Sequence, residues 1–148
     1  MLQQMKNKAP RRGTTTVELA FVIVIFTMIM FGILEYCLIV YTTVIVENAA
    51  REGARYAVVN ASDTTMVSDT QGYVLTLMGN LNTKDAPYAC NVYLADTNGN
   101  NIGAATGAKF GQYICVDVSV TYTPVTPGLL YLKTFTIRSK SSMISESN

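Results

Sequence analysis

The fold is decided by the stretch from Arg11 to Val58, RRGTTTVELAFVIVIFTMIMFGILEYCLIVYTTVIVENAAREGARYAV. It begins with basic and polar residues, becomes apolar for the depth of a membrane and ends in an Ala-rich segment. Leu19–Leu34 carries no charge, and apolar character resumes after Glu35. A helix needs about 20 mainly apolar residues to cross a bilayer. The sequence therefore predicts a membrane span over residues 19–40.

The helix is expected to continue outside the membrane as an arm over residues 41–58. Alanine favours a helix, and Glu47 can pair with Arg51 one turn later. Gly53 weakens the helix by about 1 kcal/mol relative to Ala, so its presence indicates close packing against a sheet or another helix. We predict one helix over residues 14–58, about 68 Å long at 1.5 Å per residue.

Positive charge is concentrated before the span. Residues 1–13 contain four basic residues and no acidic one, whereas the remainder carries seven basic and ten acidic residues. By the positive-inside rule, the N-terminus is cytoplasmic and the C-terminal part is exported. A cleaved secretory signal is the alternative, but its apolar core is shorter and ends at small residues. Nothing after the span forms the basic patch that nucleic-acid binding requires.

Residues 59–148 are predicted to form a small exported α+β domain. Apolar residues between Ser62 and Asn80 recur at helical spacing and indicate a second, amphipathic helix. Segments rich in β-forming residues then predict an antiparallel sheet of about three strands. Those segments are Tyr88–Ala95, Tyr113–Thr123 and Thr134–Lys140, with a Gly/Asn-rich connection over residues 97–111 and a frayed end after Ser141.

Residues that perform catalysis or bind metals are scarce. The chain has no histidine, which excludes Ser-His-Asp and Cys-His nucleophile systems and removes the commonest metal ligand. Asp96–Asn100 resembles the start of a calcium loop, but the sixth position is Asn101 where glycine is needed. We therefore predict no enzymatic activity, no metal, no cofactor and no small-molecule substrate.

The three cysteines have different expected environments. Cys37 lies in the predicted span, whereas Cys90 and Cys115 would face an oxidising compartment in which a disulfide can persist. Cys115 is on the strand face opposite the valines, whereas Cys90 alternates in phase with Val92. If both apolar faces line one core, the two thiols point apart. A Cys90–Cys115 disulfide is left open.

A possible processing site lies at the start of the apolar run. Gly13 follows the basic residues, and Glu18 stands five residues later. This spacing resembles the cleavage site of type IV prepilins, where an inner-membrane peptidase cuts after the glycine on the cytoplasmic side. The structural alternative is that Gly13 ends a flexible tail and Glu18 complements the dipole of the first helical turn.

A longer pattern supports the first interpretation. Arg12-Gly13, Val17–Ala20, Gly32–Glu35 and Ala49–Arg55 together resemble the TadE-like family of minor pseudopilins, which belong to the tight-adherence (Flp pilus) machinery. The resemblance covers Arg11–Val58 and is only general beyond it. There are departures from the family pattern, because family members often have Phe and Pro where this chain has Leu19 and Val24, and Thr14 stands where Phe would become the new N-terminus.

The resemblance implies a type IV pilin-like architecture and a non-enzymatic role in assembling a Flp-type (type IVc) pilus from the bacterial inner membrane. Residues 1–13 would be a leader removed by a prepilin peptidase, and the other partners would be the assembly platform and other pilins or pseudopilins. The new α-amino group of Thr14 could pair with Glu18 of a neighbouring subunit. We assign helix register and assembly to Glu18, Glu35, Arg51, Gly53 and Arg55, with Glu35 first expected at the outer membrane interface.

A second hypothesis keeps the anchor but changes the role. In it, the chain is a single-pass envelope protein whose exported domain binds a ligand or partner and does not enter a filament. The two hypotheses differ over Gly13, because only the first requires cleavage there.

Overall fold

The computed structural model describes residues 12–81 and 88–146. The predicted α+β class is confirmed. Residues 1–11 of the predicted leader lie outside the described residues. In chain order the elements are α1 (Arg12–Val59), α2 (Met66–Met78) with a 3₁₀ turn (Gly79–Leu81), β1 (Tyr88–Ala95), β2 (Asn101–Ala104), β3 (Tyr113–Tyr122), α3 (Pro127–Leu130) and β4 (Phe135–Ile144).

Helix α1 is a single element of 48 residues, about 72 Å long at 1.5 Å per residue. Among the described residues it is the one helix long and apolar enough to cross a membrane, over Thr15–Val59. Its first part, Thr15–Leu34, exposes almost every side chain, whereas from Glu35 onward one face of the helix becomes buried. The helix therefore has two halves with different surroundings: a bare half, Thr15–Leu34, and an embedded half, Glu35–Val59.

The four strands form one antiparallel sheet in the order β2-β1-β3-β4. Strand β3 is central, with β1 along one side and β4 along the other over its whole length. Its alternating residues place five apolar side chains on one face, as expected from a period of two. They are Ile114, Val116, Val118, Val120 and Tyr122.

Two parts of the sheet differ from the sequence prediction. Strand β4 continues to Ile144, because the polar residues after Lys140 pair with the first half of β3 instead of fraying. Strand β2 lies within the connection expected over residues 97–111. A tight turn starts it, in which the Asp96 carboxylate accepts the N–H groups of Asn98 and Asn100. The Asp96 carboxylate, which resembled the first ligand of a calcium loop, therefore stabilises this turn.

The main core lies between the apolar face of the sheet and the two long helices. The embedded half of α1 contributes small residues to it, α2 contributes larger ones, and the sheet contributes its valines and Ile114. From α1 and α2 the largest contributors are Val46, Met66, Val74 and Met78. Burial of this apolar surface attaches the outer arm of α1 to the domain, so the two form one unit.

Candidate functional site

A stripe along α1 carries most of the residues singled out from the sequence. Positions buried against the domain recur every three or four residues, the spacing of one helix face. The stripe starts with a carboxylate, continues through a threonine and a valine, and ends in small residues. Its members are Glu35, Thr42, Val46, Ala49, Ala50, Gly53, Ala54 and Ala57.

Glu35 is the charged end of this stripe and is only 2% exposed. The Tyr122 hydroxyl and the Val125 N–H both donate to its Oε1, at 2.6 and 3.1 Å. The Thr126 N–H and hydroxyl both donate to its Oε2, at 3.2 and 3.1 Å. Four donors thus surround one carboxylate, and we call Glu35, Tyr122, Val125 and Thr126 the Glu35 clamp.

The clamp explains how Glu35, an acidic residue of the apolar helix α1, can be buried. An ionised carboxylate is costly to bury unless its oxygens accept hydrogen bonds. Here each oxygen accepts two, from the end of β3 and the loop that follows it. The clamp therefore joins the domain to α1 where the bare half ends. Glu35 binds its own domain, and sequence reasoning missed its partners because they lie 87 to 91 residues further along the chain.

Gly53 marks a close approach of α1 to the rest of the domain. A Cβ atom added there would lie 2.6 Å from Val74 Cγ2 on α2 and 3.3 Å from Val116 Cγ1 on β3. Both distances are shorter than ordinary van der Waals contact. The close packing inferred from this glycine is confirmed, and it involves both a helix and the sheet.

The charged residues of the Ala49–Arg55 pattern point away from the core. Arg51 lies 3.8 Å from Glu47, both side chains are exposed, and Arg55 is exposed as well. The alternation of buried small residues with exposed charged ones follows the helical period. Of the five residues assigned to register and assembly, the chain uses Glu35 and Gly53 internally and leaves Glu18, Arg51 and Arg55 on its surface.

The predicted processing residues lie in the first turns of α1. Gly13 and Thr14 belong to the helix, and Glu18 is exposed on its bare half. Gly32, in the same half, has no atom within 4 Å of an added Cβ. The structure therefore brings none of these residues to the clamp or to the Gly53 contact.

The cysteines do not pair. Cys90 lies opposite Val118 and Cys115 lies opposite Tyr93, an offset of three positions that puts the thiols on opposite faces of the sheet. All three cysteines are free in the structure, which does not form the Cys90–Cys115 disulfide that the sequence left open. Burial, with a smaller contribution from the charge of Asp117, raises the pKa of the Cys90 thiol to about 11.

The outer face of the sheet carries a polar group that the sequence analysis did not single out. Asp117 is almost fully buried there and accepts hydrogen bonds from Arg138 Nε, at 2.7 Å, and from a second Arg138 nitrogen. Lys140 Nζ lies 4.0 Å from the same carboxylate. These residues line a cleft of about 430 Å³. The sequence did contain a signal for this group. Asp117 is an acidic residue within an apolar strand, and Arg138 and Lys140 alternate in phase on the following strand.

Within residues 12–81 and 88–146, no three His, Cys, Asp or Glu side chains are grouped to hold a metal ion. The structure instead joins a long helix, half bare and half embedded, to its domain. Two points of attachment are the hydrogen-bonded carboxylate of Glu35 and the close packing at Gly53.

The bare half and most of the embedded half are similar to one known family. A family model described as TadE-like protein matches residues 13–55. Over these residues the chain is similar to the TadE-like family. The resemblance found in the sequence is thereby confirmed, and it includes both Glu35 and Gly53. The family that this part of the chain resembles is a pilus-associated structural family. No curated protein and no solved structure matches the chain.

Proposed function

We propose that this TadE-like chain is a minor pseudopilin of a Flp-type pilus. It is held in the inner membrane with its N-terminus cytoplasmic, and its domain lies on the outer side. A prepilin peptidase matures it after Gly13, and it joins the assembly platform and other pilins or pseudopilins through the N-terminal part of α1. The family match supports the pilus context, and the basic residues before the helix support the orientation.

The bare half of α1 is the observation that carries this proposal. Thr15–Leu34 is about 20 residues long and almost entirely apolar and exposed, with Glu18 near its start. Such a segment is about 30 Å long, which equals the hydrocarbon thickness of a bilayer. Apolar surface of this extent is stable only in lipid or against other helices. Those are the two environments that a pseudopilin helix would occupy before and after assembly.

The clamp supports a specific outer boundary for the span. Because the domain contacts α1 from Glu35 onward, the lipid-facing part would end at Leu34, earlier than the Val40 expected from hydropathy. The span would then be Thr15–Leu34. One face of the arm beyond it is covered by the chain's own domain, whereas Tyr36, Tyr41 and Val44 on the arm remain exposed.

Maturation after Gly13 has a direct test. The protein is expressed with its host's prepilin peptidase, and the mass of the intact chain is measured. A chain that starts at Thr14 is expected, and a Gly13→Leu variant made in parallel should keep its leader. An unchanged wild-type N-terminus with active peptidase present would contradict the cleaved pseudopilin, although an uncleaved assembly factor would remain compatible with the family match.

Assembly through the bare half has a second test. Glu18 in hydrocarbon needs a partner, and the new α-amino group of a neighbour's Thr14 would be one. Glu18→Ala should therefore reduce piliation while leaving membrane insertion intact. Glu52→Ala, which removes an exposed glutamate from the embedded half, is the matched control. Equal piliation by both variants would favour the second hypothesis, an anchored envelope domain outside the filament.

A further inference from the structure

The loop after β3 has an unusual surface for a connection in an exported domain. Residues 123–134 include no acidic residue and one basic residue, Lys133. Val125 is 70% exposed and Tyr131 is 92% exposed, with Leu132 partly exposed beside them. Large apolar side chains grouped on one exposed loop mark an interaction surface. We call residues 123–134 the β3–β4 loop.

The direction of β3 puts this loop on the membrane side of the domain. Val116 approaches α1 at Gly53, and Tyr122 approaches it at Glu35. The strand therefore runs antiparallel to α1, toward the bare half. The chain that follows Tyr122 stays at this end of the domain, since Val125 and Thr126 also bind Glu35 and the short helix α3 contacts α1.

The loop is also continuous with the apolar surface of α1. Val125 and Thr126 line one cleft of about 260 Å³ together with residues from both sides of Glu35 on α1. The helix side of this cleft is formed by Phe31, Leu34, Glu35, Cys37 and Leu38. Phe31 and Leu34 belong to the bare half, the segment proposed to face lipid. The exposed side chain of Val125 therefore lies beside the place where α1 would leave the bilayer.

We infer that the β3–β4 loop inserts into the outer interface of the membrane, with lipid as its partner. Apolar and aromatic side chains next to a lone lysine have the composition that the interface favours, because aromatic rings occupy the headgroup level and lysine reaches phosphate. The domain then has two attachments to the membrane, the span and the loop, and the Glu35 clamp fixes one relative to the other. Such a loop holds the domain upright on the bilayer before assembly.

The test uses tryptophan, which the natural chain lacks. Three full-length single-tryptophan variants are placed in phosphatidylcholine/phosphatidylglycerol vesicles that contain brominated lipid. Tyr131→Trp reports on the loop and Phe26→Trp on the bare half. Phe110→Trp is the matched control, since Phe110 is 69% exposed and lies beyond the far end of β3, about 30 Å from Tyr122 along the strand.

Tyr131→Trp is expected to show blue-shifted emission and strong quenching by lipid brominated near the carbonyl groups. Phe110→Trp should show neither effect. Quenching of Phe26→Trp with water-like emission from Tyr131→Trp would overturn the loop proposal and leave the anchor intact. If Phe26→Trp is unquenched, the anchor of the proposed function fails, and the loop proposal, which rests on it, fails too. The emission of Tyr131→Trp could instead shift to the blue without quenching by lipid, and the shift could grow with protein density. That result would assign the loop to a second copy of the chain and would also overturn the proposal.

Discussion

The two halves of α1 have similar helical geometry and opposite surroundings. The bare half exposes bulky apolar side chains on all sides, and a Cβ added at Gly32 would meet nothing within 4 Å. The embedded half buries small residues along one stripe, and a Cβ added at Gly53 would overlap Val74. Glycine is therefore required for packing at Gly53 but not at Gly32, within the same helix. A glycine restricts the chain only where another element packs against it.

The two halves of α1 also contain glutamates with different surroundings, Glu18 and Glu35. Glu18 is exposed among exposed apolar residues, whereas Glu35 is enclosed by four donors from its own domain. One acidic residue therefore remains available to another molecule, and the other is committed within the chain. This difference predicts how variants in the two halves will behave.

The largest effect is expected at the two glycines. Gly53→Val should destabilise the domain by about 3 kcal/mol, because the added side chain must displace Val74 and Val116 in a close-packed core. Gly32→Val, the matched change in the bare half, should alter domain stability by less than about 0.5 kcal/mol. Denaturant unfolding of the full chain in detergent micelles, followed by the near-ultraviolet tyrosine signal, measures both. Equal losses would show that the Gly53 contact is not close packed.

The next effect is expected at the two glutamates. Glu35→Gln should cost about 2 kcal/mol, because an amide has one acceptor oxygen and turns N–H donors toward the donors of the clamp. The specific readout is faster hydrogen exchange at the amides of Val125 and Thr126. Glu18→Gln should leave both amides protected. Unchanged protection in Glu35→Gln would mean that the loop does not depend on this carboxylate.

A smaller effect is expected from alkaline pH. The pKa of Cys90 is raised to about 11 by burial in the core beneath the embedded half. A raised pKa in the folded state leaves stability intact below the ordinary thiol pKa of 9.0 and removes it as the pH rises through about 11. Relative to wild type, Cys90→Ala should abolish a loss of about 1 kcal/mol between pH 9 and 10. Cys37→Ala is the control, and the same pH dependence in both variants would place the cause elsewhere.

The smallest effect is expected on the exposed side of the embedded half. Arg51→Ala removes an ion pair with Glu47 that is open to solvent, so it should cost less than about 0.5 kcal/mol. The loss should disappear in about 1 M salt, where such pairs are screened. Arg55→Ala provides an exposed arginine one turn away for comparison. A cost above 1 kcal/mol at Arg51 that survives salt would reveal a packing role.

The sequence was sufficient where the signal is local. Apolar length predicted α1, alternation predicted β3, and the unfavourable Gly53 indicated a packed contact. It was insufficient where the cause is distant in the chain. Tyr122 and Thr126 carry no local sign that they bind Glu35, and the Gly/Asn-rich sequence around β2 has weak strand propensity, so pairing with β1 makes that strand. Ser141 and Ser142 also join β4 only because β3 offers partners.

The central claim is that α1 divides at Glu35 into a lipid-facing half and a domain-bound half. It is tested most directly by the membrane depths of two aromatic positions, Phe21 and Phe31. For a span of Thr15–Leu34, Phe21 lies about 5 Å from the bilayer centre along the helix and Phe31 about 10 Å. Phe21→Trp should therefore be quenched more strongly than Phe31→Trp by lipids brominated deep in their chains. Stronger quenching of Phe31→Trp than of Phe21→Trp by these lipids, as a span over residues 19–40 requires, would contradict the claim.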